Sequence, residues 1–178
     1  MLQTKKNYTL ILLFFFVGYV SAQNCTFSKD ETDKFSNTRV LHTKPINVIE
    51  KTIKQKKIYT IKKIEMQAKY ENNASVLTLY FYFDLGLTMA NTSSKLILLL
   101  SNGAKIELPC IQNLPSQERR GSSLVQFYDF AISEENFNVL LEYDIEDVRL
   151  ASQLNPVDFS ISPTVKTSEL FNCINKNK

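Results

Sequence analysis

Apolar and polar residues alternate through the middle of the chain, and this period of two predicts β-strands. One alternating run covers residues 57–70, Asn72-Asn73 follows as a turn, and a second run covers residues 76–85. Together they predict a long antiparallel hairpin. The first run changes parity near Lys62, which predicts a β-bulge at that residue.

A second hairpin is predicted where residues 95–100 and 104–108 flank Asn102-Gly103. This dipeptide tolerates positive φ at both positions, as a type I′ turn requires. Further short strands are predicted at residues 39–42, 124–132, 145–150 and 157–161. The polar stretches 24–37 and 114–123 predict turns and loops.

Two short helices complete the pattern. Ser133 is a good N-cap for a helix over residues 134–142, with Glu134 and Glu135 in its first turn. Ser162-Pro163 predicts the start of a final helix whose apolar stripe contains Leu170, Phe171 and Ile174. The expected fold is mainly β: an antiparallel, β-sandwich-like single domain with two short helices, the second at the C-terminus.

The first 22 residues have the pattern of an export signal. Lys5 and Lys6 precede an apolar run over residues 10–17, and Val20-Ser21-Ala22 supplies small residues at a cleavage site. The apolar run is too short to cross a bilayer, so we expect a cleaved signal and no transmembrane anchor. This predicts a signal peptide at residues 1–22 and one exported β-rich domain at residues 23–178, in the periplasm or secreted.

Charge changes the picture once the signal is removed. The chain of 178 residues has a formal net charge of +3, but without Lys5 and Lys6 its 19 basic residues nearly balance 18 acidic ones. A nearly neutral domain gives no support to nucleic-acid binding, which usually needs a strongly basic surface.

Three cysteines remain after residue 22, namely Cys25, Cys110 and Cys173. In an oxidising compartment this count predicts one disulfide and one unpaired thiol. Loop-closure entropy does not discriminate among the three pairings. We favour Cys25–Cys173, because both lie near chain ends that need to be held, and we expect Cys110 to be a buried thiol. No pair has the short spacing of a zinc site.

Catalytic chemistry is hard to place on this sequence. His42 is the only histidine, and no G-x-S-x-G motif accompanies it. A lone histidine without a recognisable partner is usually an ordinary polar residue, so we expect no catalytic residue, no metal site and no cofactor.

Basic residues supply a possible binding surface for lipid phosphates or acidic glycans. Its members are Lys54, Lys56, Lys57, Lys62, Arg119 and Arg120. The alternative explanation for the lysines is protection of an edge strand against aggregation.

Aromatic side chains occupy both faces of the strand at residues 79–83 (LYFYF). A central strand covered on both sides explains this pattern. The alternative is a wall of a barrel that carries an apolar ligand.

Two segments resemble uncharacterised secreted β-rich bacterial proteins. They are residues 25–35 (CTFSKDETDKF) and the strand, Ser133-Glu134-Glu135, helix and strand unit near the C-terminus. The resemblance implies a bacterial envelope or secreted setting, and it brings no activity with it.

The sequence therefore favours an exported, non-enzymatic binding or accessory domain of the cell envelope, whose partner is an envelope protein, a glycan or a lipid. The alternative is a carrier of a small apolar ligand in a cavity lined by Phe81 and Phe83. A hydrolase that works through two carboxylates alone ranks third.

The signal hypothesis predicts that the exported protein begins at Gln23, because Val20 and Ala22 fit the −3 and −1 positions of the cleavage site. The intact mass of exported protein measures this directly. A retained signal, or a lipid adduct on Cys25, would contradict it.

Overall fold

A computed structural model describes residues 25–35, 37–55, 59–83, 90–153 and 156–178. The predicted signal peptide at residues 1–22 lies outside the described residues, as do Lys56 and Lys57 of the predicted basic surface.

Twelve strands and two helices form within the described residues. In chain order they are β1 Phe27–Thr32, β2 Arg39–Thr43, β3 Ile46–Asn47, β4 Ile53–Gln55, β5 Tyr59–Glu71, β6 Ala74–Phe83, β7 Lys95–Leu100, β8 Lys105–Pro109, β9 Ser116–Arg120, β10 Ser123–Ile132, α1 Glu134–Glu142, β11 Ile145–Ala151, β12 Val157–Ser160 and α2 Ser168–Asn177.

The strands build two antiparallel sheets. The large sheet has the order β1-β2-β5-β6-β10-β9, with β3 and β4 also paired to β5, and the small sheet has the order β12-β11-β7-β8. Both sheets contribute to one hydrophobic core. In it, Phe81 of β6 meets Phe159 of β12 edge to face, with ring centroids 6.4 Å apart. The predicted mainly β, antiparallel, sandwich-like fold with a C-terminal second helix is confirmed.

The hairpin of β5 and β6 forms the centre of the large sheet and matches the predicted alternation. Leu77, Leu79, Phe81 and Phe83 are fully buried against the core, because every second residue of a strand points to the same face. Asn72 and Asn73 both have positive φ, of 51° and 60°, at the turn. The register between β5 and β6 shifts between Ile61 and Lys63, so the predicted bulge is also confirmed.

The β7–β8 hairpin is present, but its predicted type I′ turn is wrong. Only Gly103 has positive φ there, at 81°. The Gly103 N–H donates to the Leu100 carbonyl at 2.8 Å, and Leu100 and Ala104 close the loop. This geometry is a three-residue loop in which a type I turn ends in a left-handed glycine. Asn102 instead uses its side chain, whose Oδ1 accepts from the Ala104 N–H at 2.9 Å.

Two segments predicted as turns and loops are strands. β1 forms within residues 24–37 and pairs with β2, and β9 forms within residues 114–123 and pairs with β10. Both lie at the edges of the large sheet, where most of their side chains are exposed. Their polar sequences therefore lack the apolar alternation that reveals a half-buried strand.

The first helix follows the prediction, and the second begins later than predicted. The Ser133 hydroxyl caps α1 by accepting from the Asn136 N–H at 3.2 Å. Ser162 lies before α2, and its hydroxyl is hydrogen-bonded to the side chains of Glu50 and Thr164. The helix starts at Ser168, whose N–H donates to Asp144 Oδ1 at 2.9 Å.

The favoured disulfide is confirmed. Cys25 is bonded to Cys173, with a Cα–Cα distance of 5.4 Å, so the bridge joins the segment before β1 to helix α2. Cys110 is buried and not disulfide-bonded, and burial raises the pKa of its thiol. No helix among the described residues is both long enough and apolar enough to cross a membrane.

Replacing both bridged cysteines, as Cys25→Ser/Cys173→Ser, should lower the free energy of unfolding by about 2–5 kcal/mol, because the bridge closes a long loop in the unfolded chain. Urea unfolding of the purified, oxidised protein measures the change, and Cys110→Ala serves as a control for loss of a cysteine outside the bridge. An unfolding free energy equal to that of the wild type would contradict this account.

Candidate binding face

The large sheet has a second face, opposite the core, that is lined by charged, amide and phenolic side chains from four strands. We call it the polar face. Its principal members are Glu65, Gln67, Lys69, Tyr80, Tyr82, Glu118, Arg120, Phe127 and Asp129. The same alternation that sends Phe81 and Phe83 into the core sends Tyr80 and Tyr82 here.

Glu65, Tyr82 and Arg120 form the first part of a hydrogen-bonded network on this face. The Glu65 residue is only 9% exposed, yet its carboxylate accepts from the Tyr82 hydroxyl and pairs with Lys63. Arg120 Nη1 donates to the Tyr82 oxygen at 2.8 Å and lies 3.6 Å from Glu65 Oε2. Its Nη2 pairs with Glu118. A buried carboxylate is tolerated here because cations and a hydroxyl surround it.

Gln67 forms the second part of the network and is only 3% exposed. Its Oε1 accepts from the Tyr80 hydroxyl, and its Nε2 donates to the Thr43 carbonyl at 2.6 Å and to Ser28 Oγ at 3.0 Å. The amide is therefore satisfied at both ends, and it links β5 to β1, β2 and β6.

Asp129 of β10 forms the third part of the network. It accepts from Lys69 Nζ at 3.2 Å, from the Thr78 hydroxyl and from Gln112 Nε2 at 3.3 Å. These bonds connect β10 to both central strands and to the segment after β8. The carboxylate is thus fixed from three sides.

Aromatic rings hold the cations in position. The Arg120 guanidinium carbon lies 5.2 Å from the Tyr80 ring centroid and 6.0 Å from that of Tyr82. Lys69 Nζ lies 5.9 Å from the Phe127 centroid, and the Tyr80 and Phe127 rings are 5.2 Å apart. Such contacts stabilise a cation over a ring.

A cleft of about 430 Å³ opens on the polar face. It is lined by Ser28, His42, Pro45, Gln67, Lys69, Tyr80, Glu118, Arg120 and Phe127. Its volume lies within the range of small-molecule sites, and it combines donors, acceptors and one half-buried aromatic ring.

The phenols of this face stay protonated well above neutral pH. Burial, reinforced by the negative charge of Asp129, raises the pKa of Tyr80 to about 12. Burial and the hydrogen bond to Glu65 raise the pKa of Tyr82 to about 12 as well. Both hydroxyls therefore act as hydrogen-bond donors throughout the physiological range.

His42, the only histidine, lies at the edge of the cleft on β2. Its Nε2 pairs with Glu71, but burial outweighs this pairing and lowers the pKa of the imidazole. The ring is therefore neutral at neutral pH, and its Nε2 is already occupied by the contact with Glu71.

The structure separates the residues predicted as a basic surface. Lys54 and Lys62 are exposed on the neighbouring strands β4 and β5. Arg119 and Arg120 lie on β9, which is separated from β5 by β6 and β10. Of these four, Arg120 belongs to the polar face, where its charge is matched by Glu118. Lys56 and Lys57 lie outside the described residues.

The sequence missed most of the polar face. Glu65, Gln67 and Lys69 occupy the polar positions of β5, which an alternating pattern assigns to solvent. One signal was available: the aromatic residues of β6 on the same face, Tyr80 and Tyr82, indicated that this side is not simply solvated.

A larger concavity, of about 570 Å³, lies on the outer face of the small sheet. Its walls are the exposed charged residues Lys105, Glu107, Arg149 and Asp158, and its floor contains Ile97 and Leu99. Its charged side chains are exposed, and they are not held by buried hydrogen-bonded side chains such as Glu65 and Gln67 of the polar face. It is therefore a less preorganised site than the polar face.

No protein-family model, curated protein or solved structure matches this chain. Within the described part of the chain, no group of three or more His, Cys, Asp or Glu side chains is arranged to hold a metal ion.

Tyr80→Phe should cost about 1–2 kcal/mol of unfolding free energy at pH 8, because it leaves the buried Gln67 oxygen without its donor. The cost should shrink as pH rises from 10 towards 12. The pKa of Tyr80 is raised in the folded protein, so the stabilisation it gives is complete below pH 10 and is lost through the folded pKa of about 12.

Urea unfolding of wild type and variant at pH 8, 10 and 11 measures both effects. A difference between the two proteins that stays constant over this range would contradict the assignment.

Proposed function

We propose that this protein is an exported, non-enzymatic binding domain of the cell envelope, and that the polar face binds a neutral glycan. The observation that carries the proposal is the cleft at Arg120, Tyr80 and Phe127, where fixed hydrogen-bonding groups surround a partly exposed aromatic ring. The Cys25–Cys173 disulfide is consistent with an exported setting.

The chemistry of the cleft fits a hydroxyl-rich ligand. A sugar presents hydroxyl groups that both donate and accept, and C–H faces that pack on aromatic rings. The cleft offers Arg120 as donor, Glu118 as acceptor and Phe127 as an apolar surface, and the side chains of Arg120 and Glu118 are about two-fifths exposed.

Charge balance favours a neutral ligand over a polyanion. Three cations of the polar face each pair with a carboxylate: Lys63 with Glu65, Lys69 with Asp129 and Arg120 with Glu118. The charges of these three pairs sum to zero, so the pairs give the face no excess of positive charge to attract phosphate or sulfate groups.

Preorganisation supports binding at this face. Arg120 is held by Tyr82 and Glu118 and lies over the Tyr80 ring, and Gln67 holds the Tyr80 hydroxyl. Groups that are already fixed lose little conformational entropy when a ligand binds, and this raises affinity for a given set of contacts.

The two other hypotheses find less support. Phe81 and Phe83 are fully buried, and Phe81 contacts Tyr128 and Phe159, so protein side chains occupy the region expected for an apolar ligand. For a hydrolase, the polar face offers the carboxylates of Glu65 and Glu118, and Arg120 pairs with both. Neither carboxylate is presented freely to a glycosidic bond.

An array of neutral and acidic oligosaccharides, probed with labelled exported protein, tests the proposal. We expect binding to neutral members, and calorimetry with the best of them should show a loss of at least about tenfold for Arg120→Ala and for Phe127→Ala. Arg39→Ala is the matched control, because Arg39 is an equally exposed, ion-paired arginine on β2 that does not line the cleft.

Thermal unfolding of each variant separates lost binding from lost folding. Binding that survives both substitutions in folded protein, or binding restricted to sulfated and uronic members, would contradict the proposal. Absence of binding to any array member, with capture of an envelope protein or lipid instead, would also contradict it.

A further inference from the structure

The outer face of the small sheet carries a regular pattern of charged and apolar residues. We call it the small-sheet face. Strand alternation places Ile97 and Leu99 of β7 on this side, while Leu96, Leu98 and Leu100 enter the core. Ile97 and Leu99 are only half-buried, and they form the floor of the 570 Å³ concavity.

The register of the four strands aligns the residues of this face in two neighbouring rows. The first row, from β8 to β12, is Glu107, Ile97, Arg149, Asp158. The second row is Lys105, Leu99, Asp147, Ser160.

The two rows are opposite in charge on two of their strands. On β8 the acidic Glu107 of the first row neighbours the basic Lys105 of the second, and on β11 the basic Arg149 neighbours the acidic Asp147. On β7, between them, both rows have an aliphatic residue. Exchanging the two rows therefore converts each of these charges into its complement.

We propose that the small-sheet face binds a second copy of this chain, across a twofold axis that crosses the strands between the two rows. This axis runs parallel to the rows and lies between them, so the first row of one copy faces the second row of the other. Glu107 then faces the second copy's Lys105, Arg149 faces its Asp147, and Ile97 packs on its Leu99. A twofold interface needs such a self-complementary surface, and here the strand register supplies it.

A second orientation, with the axis along β7, fits less well. It also sets Glu107 opposite the second copy's Arg149 and Lys105 opposite its Asp147. However, it places the two Lys95 side chains of the dimer opposite each other, next to the axis. Lys95 lies on the same side of β7 as Ile97 and is paired with Glu107 at 2.8 Å. The axis across the strands instead sets Lys95 opposite Ser101 and lets all four strands overlap.

The dimer is weak and reverses on dilution. Four strands at a spacing of about 4.8 Å span only about 14 Å between the outer two, so the face is smaller than the ~800 Å² per partner of a standard interface. The intrachain ion pairs Arg149–Asp158 and Lys95–Glu107 are exposed, so their charged groups can also contact the second copy.

Dimerisation leaves the polar faces free. Each polar face lies on the large sheet, on the side away from the core that the two sheets share. Two copies joined through their small sheets therefore present polar faces at opposite ends of the assembly. The inference does not rest on the proposed glycan binding, and its test uses no ligand.

Sedimentation velocity of exported protein at concentrations up to about 500 μM measures the fraction of dimer. This concentration is far above the micromolar dissociation constants of moderate complexes. Glu107→Lys and Lys105→Glu should each weaken self-association at least about tenfold, because each sets like charges opposite one another twice in the symmetric dimer. An equimolar mixture of the two variants should regain the wild-type dimer, since every contact is then again between opposite charges. Glu142→Lys, a charge reversal on α1, is the control and should associate like the wild type.

Three results would overturn the proposal. One is a wild type that stays monomeric over the whole range. Another is a mixture of Glu107→Lys and Lys105→Glu that stays monomeric while the wild type dimerises. The third is recovery on mixing Glu107→Lys with Arg149→Glu instead, which would assign the axis along β7.

Discussion

The pairing of β5 with β6 is the interaction on which the rest of this structure depends. One side of the hairpin supplies Phe81 and Phe83 to the core, and the other supplies Glu65, Gln67, Tyr80 and Tyr82 to the polar face. A slip of one residue in either strand would exchange its two faces. Asn72 and Asn73, both with positive φ, close the hairpin and fix its register, so core and polar face are specified together.

The polar face combines burial with nearly complete hydrogen bonding. Buried polar groups destabilise a protein unless they are paired, and Glu65, Gln67 and Asp129 each have two or more partners. A satisfied network of this kind on central strands is rigid. The same contacts that stabilise the sheet thus hold Arg120 and Tyr80 at the cleft, and this links the stability of the fold to its proposed ability to bind.

Local patterns in the sequence predicted the β5–β6 hairpin, the bulge at Lys62 and the cap at Ser133, because each depends on neighbouring residues. Features set by distant contacts escaped prediction. β9 is polar because it is an edge strand, and α2 starts at Ser168 because Asp144 receives its first N–H. Gln67 meets Ser28 and Thr43, residues far away in the chain, so its role is visible only after folding.

The central claim is that the register of β5 and β6 creates a preorganised binding face around Arg120. The most direct measurement is a titration of isotope-labelled protein with neutral oligosaccharides, followed by NMR. The account predicts that the side-chain N–H signal of Arg120 and the amides of Glu118 and Phe127 shift first, with little change on the small sheet. Shifts confined to the small sheet, or no shift at the polar face with a ligand that binds, would contradict it.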